Sequence, residues 1–247
     1  DRIWINEGSV NNEFNYAVIK NGFIGIQTET LQADESLDNV VILRNTIVKN
    51  MSRWGLFSIS HRVVAANCVF ANCAENTLII TAGGAYDFRH CTFANYWSGS
   101  IRQDPSFTLS NNITYFNDEG QPITVLGPLN AYFGNCIVYG NVDEEMLFSE
   151  EGAVSFDYRF DHCLLKTEEM INDTAYFTNC IKNQDPEFVD YTVNNYRLDT
   201  LSPVSNIGTL DVLTKPFYYL RLDLDKNIRT QDEGPDLGAY EFVPEVK

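Results

Sequence analysis

The sequence predicts an all-β chain wound as a single-stranded solenoid, and three observations carry that reading. Five of the six cysteines fall in one column when the chain is folded into turns of about 22 residues. Each turn contains short β-branched or aromatic runs broken by single polar residues. A row of Asn and His residues stands immediately before the cysteine column.

The column reads Ala17, Thr46, Cys68, Cys91, Asn112, Cys136, Cys163 and Cys180. Its members are taken from similar segments, such as Ala65-Ala-Asn-Cys-Val-Phe-Ala-Asn72 and Phe88-Arg-His-Cys-Thr-Phe-Ala-Asn95. A repeat of this period buries its apolar side only by stacking on the next copy, and the length allows about eight to nine turns. Cys, Thr and Ala are small enough to sit beside Phe70, Phe93, Val138 and Leu165 in the interior.

Val41-Ile-Leu43, Val63-Val-Ala65, Tyr86-Asp-Phe88, Phe107-Thr-Leu109, Ala131-Tyr-Phe133 and Tyr158-Arg-Phe160 read as the strand before the column. A third strand is expected around Leu56, Leu78, Ile101, Ile123 and Leu147. The row Tyr16, Asn45, Asn67, His90, Asn111, Asn135, His162 and Asn179 suits a tight bend, because Asn tolerates left-handed backbone and bonds neighbouring main chain.

The repeats resemble those of right-handed parallel β-helix proteins of the broad pectate-lyase-like superfamily. Residues 185–242 are more specific. Asp185-Pro-Glu-Phe188, Asn195-Tyr-Arg-Leu198, Ser202-Pro-Val-Ser-Asn-Ile-Gly208, Asn227-Ile-Arg229 and Pro235-Asp-Leu-Gly-Ala-Tyr-Glu-Phe242 are similar to the closing motifs of bacterial secreted β-helix repeat proteins with interchangeable cell-surface anchors. The expected organisation is β-helix repeats over 1–201 and a closing, capping segment of the same domain over 202–247. That segment is expected to cover the C-terminal end or pack along the side, with Tyr240 and Phe242 buried.

Net charge is −17, which argues against nucleic acid or an anionic membrane as a direct partner. No apolar run is long enough to span a bilayer. The chain opens at Asp1 without a signal sequence and reads as a processed or truncated piece of a longer precursor, with its export signal outside this stretch. An extracellular, cell-surface or periplasmic location is expected. The column accounts for five cysteines as interior packing, so free buried thiols are expected rather than disulfides, while Cys73 stands off the column.

The search for chemistry returns little. His90 and His162 belong to the bend row, and His61 stands alone beside Arg62. No zinc spacing, phosphate loop or nucleophile elbow is present, and no cofactor is expected. The polygalacturonase-like signatures and the pectate-lyase-like Arg and Ca²⁺ pattern are absent. Ca²⁺ is conceivable at Asp223, Asp225, Asp232, Glu233 and Asp236, without a regular ligand loop.

One edge carries aromatic rings among carboxylates. Trp54, Trp97, Tyr96, Arg53, Arg102, Asp104, Asp118 and Glu119 are the candidate ligand-binding residues, with rings for apolar sugar faces and polar groups for hydroxyls. The reading is a non-catalytic carbohydrate-associated binding or scaffold module with a polysaccharide partner. The alternatives are a polysaccharide lyase or glycoside hydrolase with an atypical site on this edge, and a structural stalk or adhesin segment. End-to-end self-association is a further expectation.

Overall fold

The computed structural model describes residues 1–30, 40–213 and 220–244. The chain is all-β, built around an eleven-stranded and a seven-stranded sheet in which every strand pairing is parallel. Two antiparallel hairpins, Asn112–Phe116 with Pro122–Leu126 and Phe188–Asp190 with Asn195–Leu198, and an isolated antiparallel bridge between Leu222 and Ile228 stand outside these sheets. Among the described residues no helix is long and apolar enough to cross a membrane.

Strict register builds the core. Phe14, Leu43, Ala65, Phe88, Phe133, Phe160 and Phe177 align across the eleven-stranded sheet. Ile19, Val48, Phe70, Phe93, Val138, Leu165 and Lys182 align across the seven-stranded one. Parallel strands lie ~4.8 Å apart, so like rings meet face to face. Phe88 stacks on Phe133 at 5.2 Å, and Phe70 on Phe93 at 5.1 Å. Lys182 ends its apolar column with a charge, and its ammonium donates to the carbonyl of Glu169 at 2.9 Å. An inward cation of this kind blunts a sheet edge against further strands.

The bend row turns the chain from the larger sheet into the smaller. Asn45, Asn67, His90, Asn135, His162 and Asn179 all take the left-handed region, with φ between 49° and 52°. The next residue explains the column. Thr46, Cys68, Cys91, Cys136, Cys163 and Cys180 each donate a hydroxyl or thiol to the carbonyl two residues back, at 2.8–3.5 Å. A small donor both fills the interior and satisfies the bend carbonyl, which selects Cys and Thr. All six cysteines are free. Cys73 also points inward, aligned with Met51, and burial pushes its thiol up to about 12.

Three expectations are corrected. Asn112 is not in the column, because Cys91 and Cys136 are direct neighbours: Thr92 pairs with Ile137, and the Cys91 N–H reaches the Cys136 sulfur at 3.5 Å. The intervening residues insert the hairpin Asn112–Leu126 instead of a turn of the repeat. Asn111 is accordingly outside the left-handed row, although buried, and its amide bonds the carbonyls of Glu151 and Val154. The third strand aligns Leu56, Leu78, Phe107 and Met146. Ile101 is 90% exposed, Ile123 is in the hairpin, and Leu147 points outward one residue past the aligned Met146.

The described parts of the closing segment, 202–213 and 220–242, pack along the side. Leu237, Ala239 and Tyr240 join Phe188, Tyr196 and Leu198 over the outer face of the seven-stranded sheet, against Val69, Ala94, Ile137 and Leu164. Tyr240 is buried, whereas Phe242 is half-buried. The segment binds the bend row through Asn67, which donates to the Leu222 carbonyl at 2.8 Å, and through Asn135, which both donates to and accepts from Thr209 at 2.9 Å. Fully buried Arg229 pairs with Glu241 and donates to Asn67 at 2.9 Å.

Candidate functional site

A second row of bends turns the chain from the seven-stranded sheet into the start of the next strand of the larger sheet. Asn21, Asn50 and Asn72 are again left-handed, with φ of 61°, 57° and 50°. Neighbouring bends approach closely: a Cβ on Gly55 would lie 2.5 Å from the Thr77 carbonyl oxygen, so this position excludes a side chain.

Residues just after these Asn side chains form the aromatic edge. The Arg53 guanidinium lies 3.7 Å above the Trp54 ring and 5.7 Å from that of Phe23. Glu75 accepts from the Trp54 indole N–H at 2.7 Å and from Arg53 Nε at 3.2 Å. Trp54 is also packed on Phe57 at 4.4 Å. Its ring and its N–H are therefore engaged within the protein.

Trp97 sits differently. Its indole N–H donates to Ser100 Oγ at 2.9 Å. Its ring borders an open depression of about 470 Å³ shared with Asn21, Gly22, Phe23, Asn50 and Ser52, and with Asp1. Aromatic surface, two amides and a hydroxyl converge there.

The other predicted site residues are placed elsewhere. Tyr96 stacks on Tyr191 at 4.1 Å and meets Phe188 edge-on, so its ring anchors the second hairpin; burial raises its phenol. The Arg102 side chain is buried on Glu145, and it also donates to the Asn95 carbonyl at 3.0 Å, the Asp104 carbonyl at 2.8 Å and Asn141 Oδ1 at 2.7 Å. It pins the loop after Trp97 to a neighbouring bend, and Asp104 contributes its backbone to that pin. Asp118 and Glu119 occupy the exposed tip of the first hairpin. The edge thus assembles Arg53, Trp54 and Trp97 from the predicted set. It adds Phe23, Asn21, Asn50 and Ser52, which sequence reasoning missed. The signal available was Asn at 21, 50 and 95, each followed two to four residues later by an aromatic residue, at 23, 54 and 97.

Three acids of the closing-segment cluster, Asp223, Asp225 and Asp236, are satisfied within the protein. Asp223 accepts from the N–H groups of Asn227 at 2.7 Å and Glu241 at 2.8 Å, Asp236 from Asn206 at 2.7 Å, and Asp225 pairs with Arg197. Among the described residues no group of three or more His, Cys, Asp or Glu side chains is arranged to hold a metal ion. A larger cavity of about 700 Å³ between the second hairpin and the closing segment is crossed by that Arg197–Asp225 pair.

Compared with known proteins, the sequence matches no family model and no curated protein.

Proposed function

We propose that the chain is a right-handed parallel β-helix, with repeats over 1–201 and a closing segment over 202–247, that serves as a non-catalytic carbohydrate-binding or scaffold module. In this reading it is an exported bacterial protein of the cell surface or periplasm, with a polysaccharide as partner. The observation that carries the reading is the depression at Trp97. A tryptophan and a phenylalanine border it beside Asn21, Asn50 and Ser52. Rings cover the apolar face of a sugar, while amides and a hydroxyl exchange bonds with its hydroxyl groups.

The charge of −17 sets the class of glycan. Neutral or cationic sugars are favoured over uronates, because the protein's own field opposes an anion. The lyase or hydrolase reading has weaker support: Glu75 is already engaged by Trp54 and Arg53, and the residues lining the depression include one acid, Asp1, where a hydrolase uses a pair. The test is a glycan array in calcium-supplemented buffer, followed by calorimetry on the best ligand. Trp97→Ala is expected to weaken binding about tenfold, the worth of one stacked ring. Full affinity in a Phe23→Ala/Trp97→Ala double variant would sink the assignment, and release of shortened or unsaturated products would move it to an enzyme.

A further inference from the structure

Trp97 lies in the stretch 96–106, which joins the strand Thr92–Asn95 to Phe107–Ser110 without a strand or helix of its own. Most connections in compact domains run to about 4–6 residues, and a longer one is not fixed by its ends alone. Two local contacts shape the ring. The indole N–H closes onto Ser100. The six-membered ring lies against Gly99, where a Cβ would meet its Cζ2 at 2.7 Å and its Cε2 at 3.0 Å. A side chain at Gly99 would push the ring away from its own loop.

The rest of the loop is held from the neighbouring strand, where Gly140 pairs with Asn95. Asn141 donates to the Trp97 carbonyl at 3.3 Å and accepts from Arg102 at 2.7 Å. Among the described residues the Asn141 side chain bonds nothing else, and the residue is exposed. Arg102 forks onto both carboxylate oxygens of Glu145 and reaches the carbonyls of Asn95 and Asp104. One guanidinium thereby ties the start of the loop to its end. Glu145 also accepts from the backbone N–H groups of Ser106 at 3.3 Å and Val142 at 3.1 Å. Its carboxylate is seated against Gly140, where a Cβ would lie 2.1 Å from Oε1. Both partners of the pair are buried. Desolvation offsets most of the attraction in such a pair, so its net contribution to stability is small. Its bonds instead fix one loop geometry, because a buried fork accepts few arrangements of its partners.

We propose that Asn141, Arg102 and Glu145 are positioning residues of the Trp97 site, acting through the loop backbone to keep the ring, backed by Gly99, on the border of the depression. The functional part of this inference rests on the reading of that depression as a ligand site. A ring already held in place adds affinity, since a ligand then orders no loop on binding.

Fluorine NMR of the full chain carrying 5-fluorotryptophan tests this without any glycan. Trp4, Trp54 and Trp97 give one resonance each, assigned by Trp→Phe substitution, and the first two report on the rest of the fold. Gly99→Ala moves the ring directly and calibrates the shift of a displaced Trp97. Asn141→Ala is expected to move or split the Trp97 resonance alone, with displaced conformers about fivefold more populated than in the parent, the worth of one hydrogen bond. Arg102→Lys leaves a cation on Glu145 but cannot span Asn95, Asp104 and Asn141 together, and should displace Trp97 further. A Trp97 resonance unmoved in both variants, though moved by Gly99→Ala, overturns the proposal. So does a common shift of all three resonances, which would make the network a general support of the fold. The two readings fail separately: a glycan array without hits overturns the carbohydrate assignment and leaves the fluorine result to decide the positioning.

Discussion

The two rows of Asn bends share a residue type and a backbone conformation, yet one is covered and the other is open. Asn67, His90 and Asn135 are buried beneath the closing segment: Asn67 is committed to Leu222 and Arg229, Asn135 to Thr209, and the His90 ring to Asn135. Asn21 and Asn50, equally left-handed, face a depression bordered by Phe23 and Trp97. A left-handed Asn is thus a bend device first, and what overlies it decides whether its amide supports the fold or remains available to a ligand. The covered row is the one where substitutions cost stability. The open row is the one where they cost binding.

The contrast breaks first at Arg229. It is fully buried, paired with Glu241 and bonded to Asn67. Arg229→Ala leaves Glu241 without its cation and is expected to destabilise by about 3–5 kcal/mol in denaturant unfolding. A loss below about 1 kcal/mol, within the range of ordinary surface changes, would show that the closing segment is not held by this pair. At Asn135, which exchanges two bonds with Thr209 and one with His90, Leu is expected to cost about 1–3 kcal/mol through unsatisfied partners. The same measurement at Asn50, in the open row, should give a clearly smaller loss.

His90 sharpens the comparison through pH. Burial, helped by the nearby Arg229 charge, holds its imidazole well below the ordinary value of 6.5. The unfolded chain therefore takes up a proton that the folded one refuses. This contribution to stability is present above about pH 6.5 and is lost as pH falls, by up to about 1.4 kcal/mol per unit. His90→Asn, which keeps the left-handed bend, should flatten the curve below pH 6.5 relative to the parent. Parallel curves would mean that the row is not sealed. The smallest effect is expected at Trp97, where Ala should shift stability by no more than about 0.5 kcal/mol, because the ring lies outside the core clusters. A larger loss would make Trp97 a packing residue and weaken the binding assignment.

Much of the architecture was legible before the structure. The cysteine column, the bend row and the strand before it are periodic signals, and stacking like on like keeps them in phase. The failure came at Asn112. Ser110-Asn-Asn-Ile113 imitates the local pattern of a bend and falls at a plausible spacing between Cys91 and Cys136. Periodicity alone therefore could not separate a turn of the repeat from an inserted hairpin. The slip carried Ile123 with it, counted from Asn117 in the false turn, whereas Ile101, counted from Asn95, failed because the loop after Trp97 delays the third strand to Phe107. At the candidate site, Trp54 and Trp97 were found as rings on one edge. Their different states, one engaged by Arg53 and Glu75 and the other bordering a depression, depend on side chains brought from adjacent bends.

The sequence by itself determined that this chain is all-β, where it bends, and which small residues enter the interior, because backbone propensity and side-chain size act locally and recur with every turn. Tertiary structure alone decided which row of Asn the closing segment covers, that Arg102 is a buried pin, and that Cys91 meets Cys136 across the inserted hairpin. Those outcomes rest on contacts between residues tens to more than a hundred positions apart, as in Asn67 with Arg229. Burial and hydrogen-bond satisfaction at such contacts belong to the packed whole and leave no local pattern in the chain.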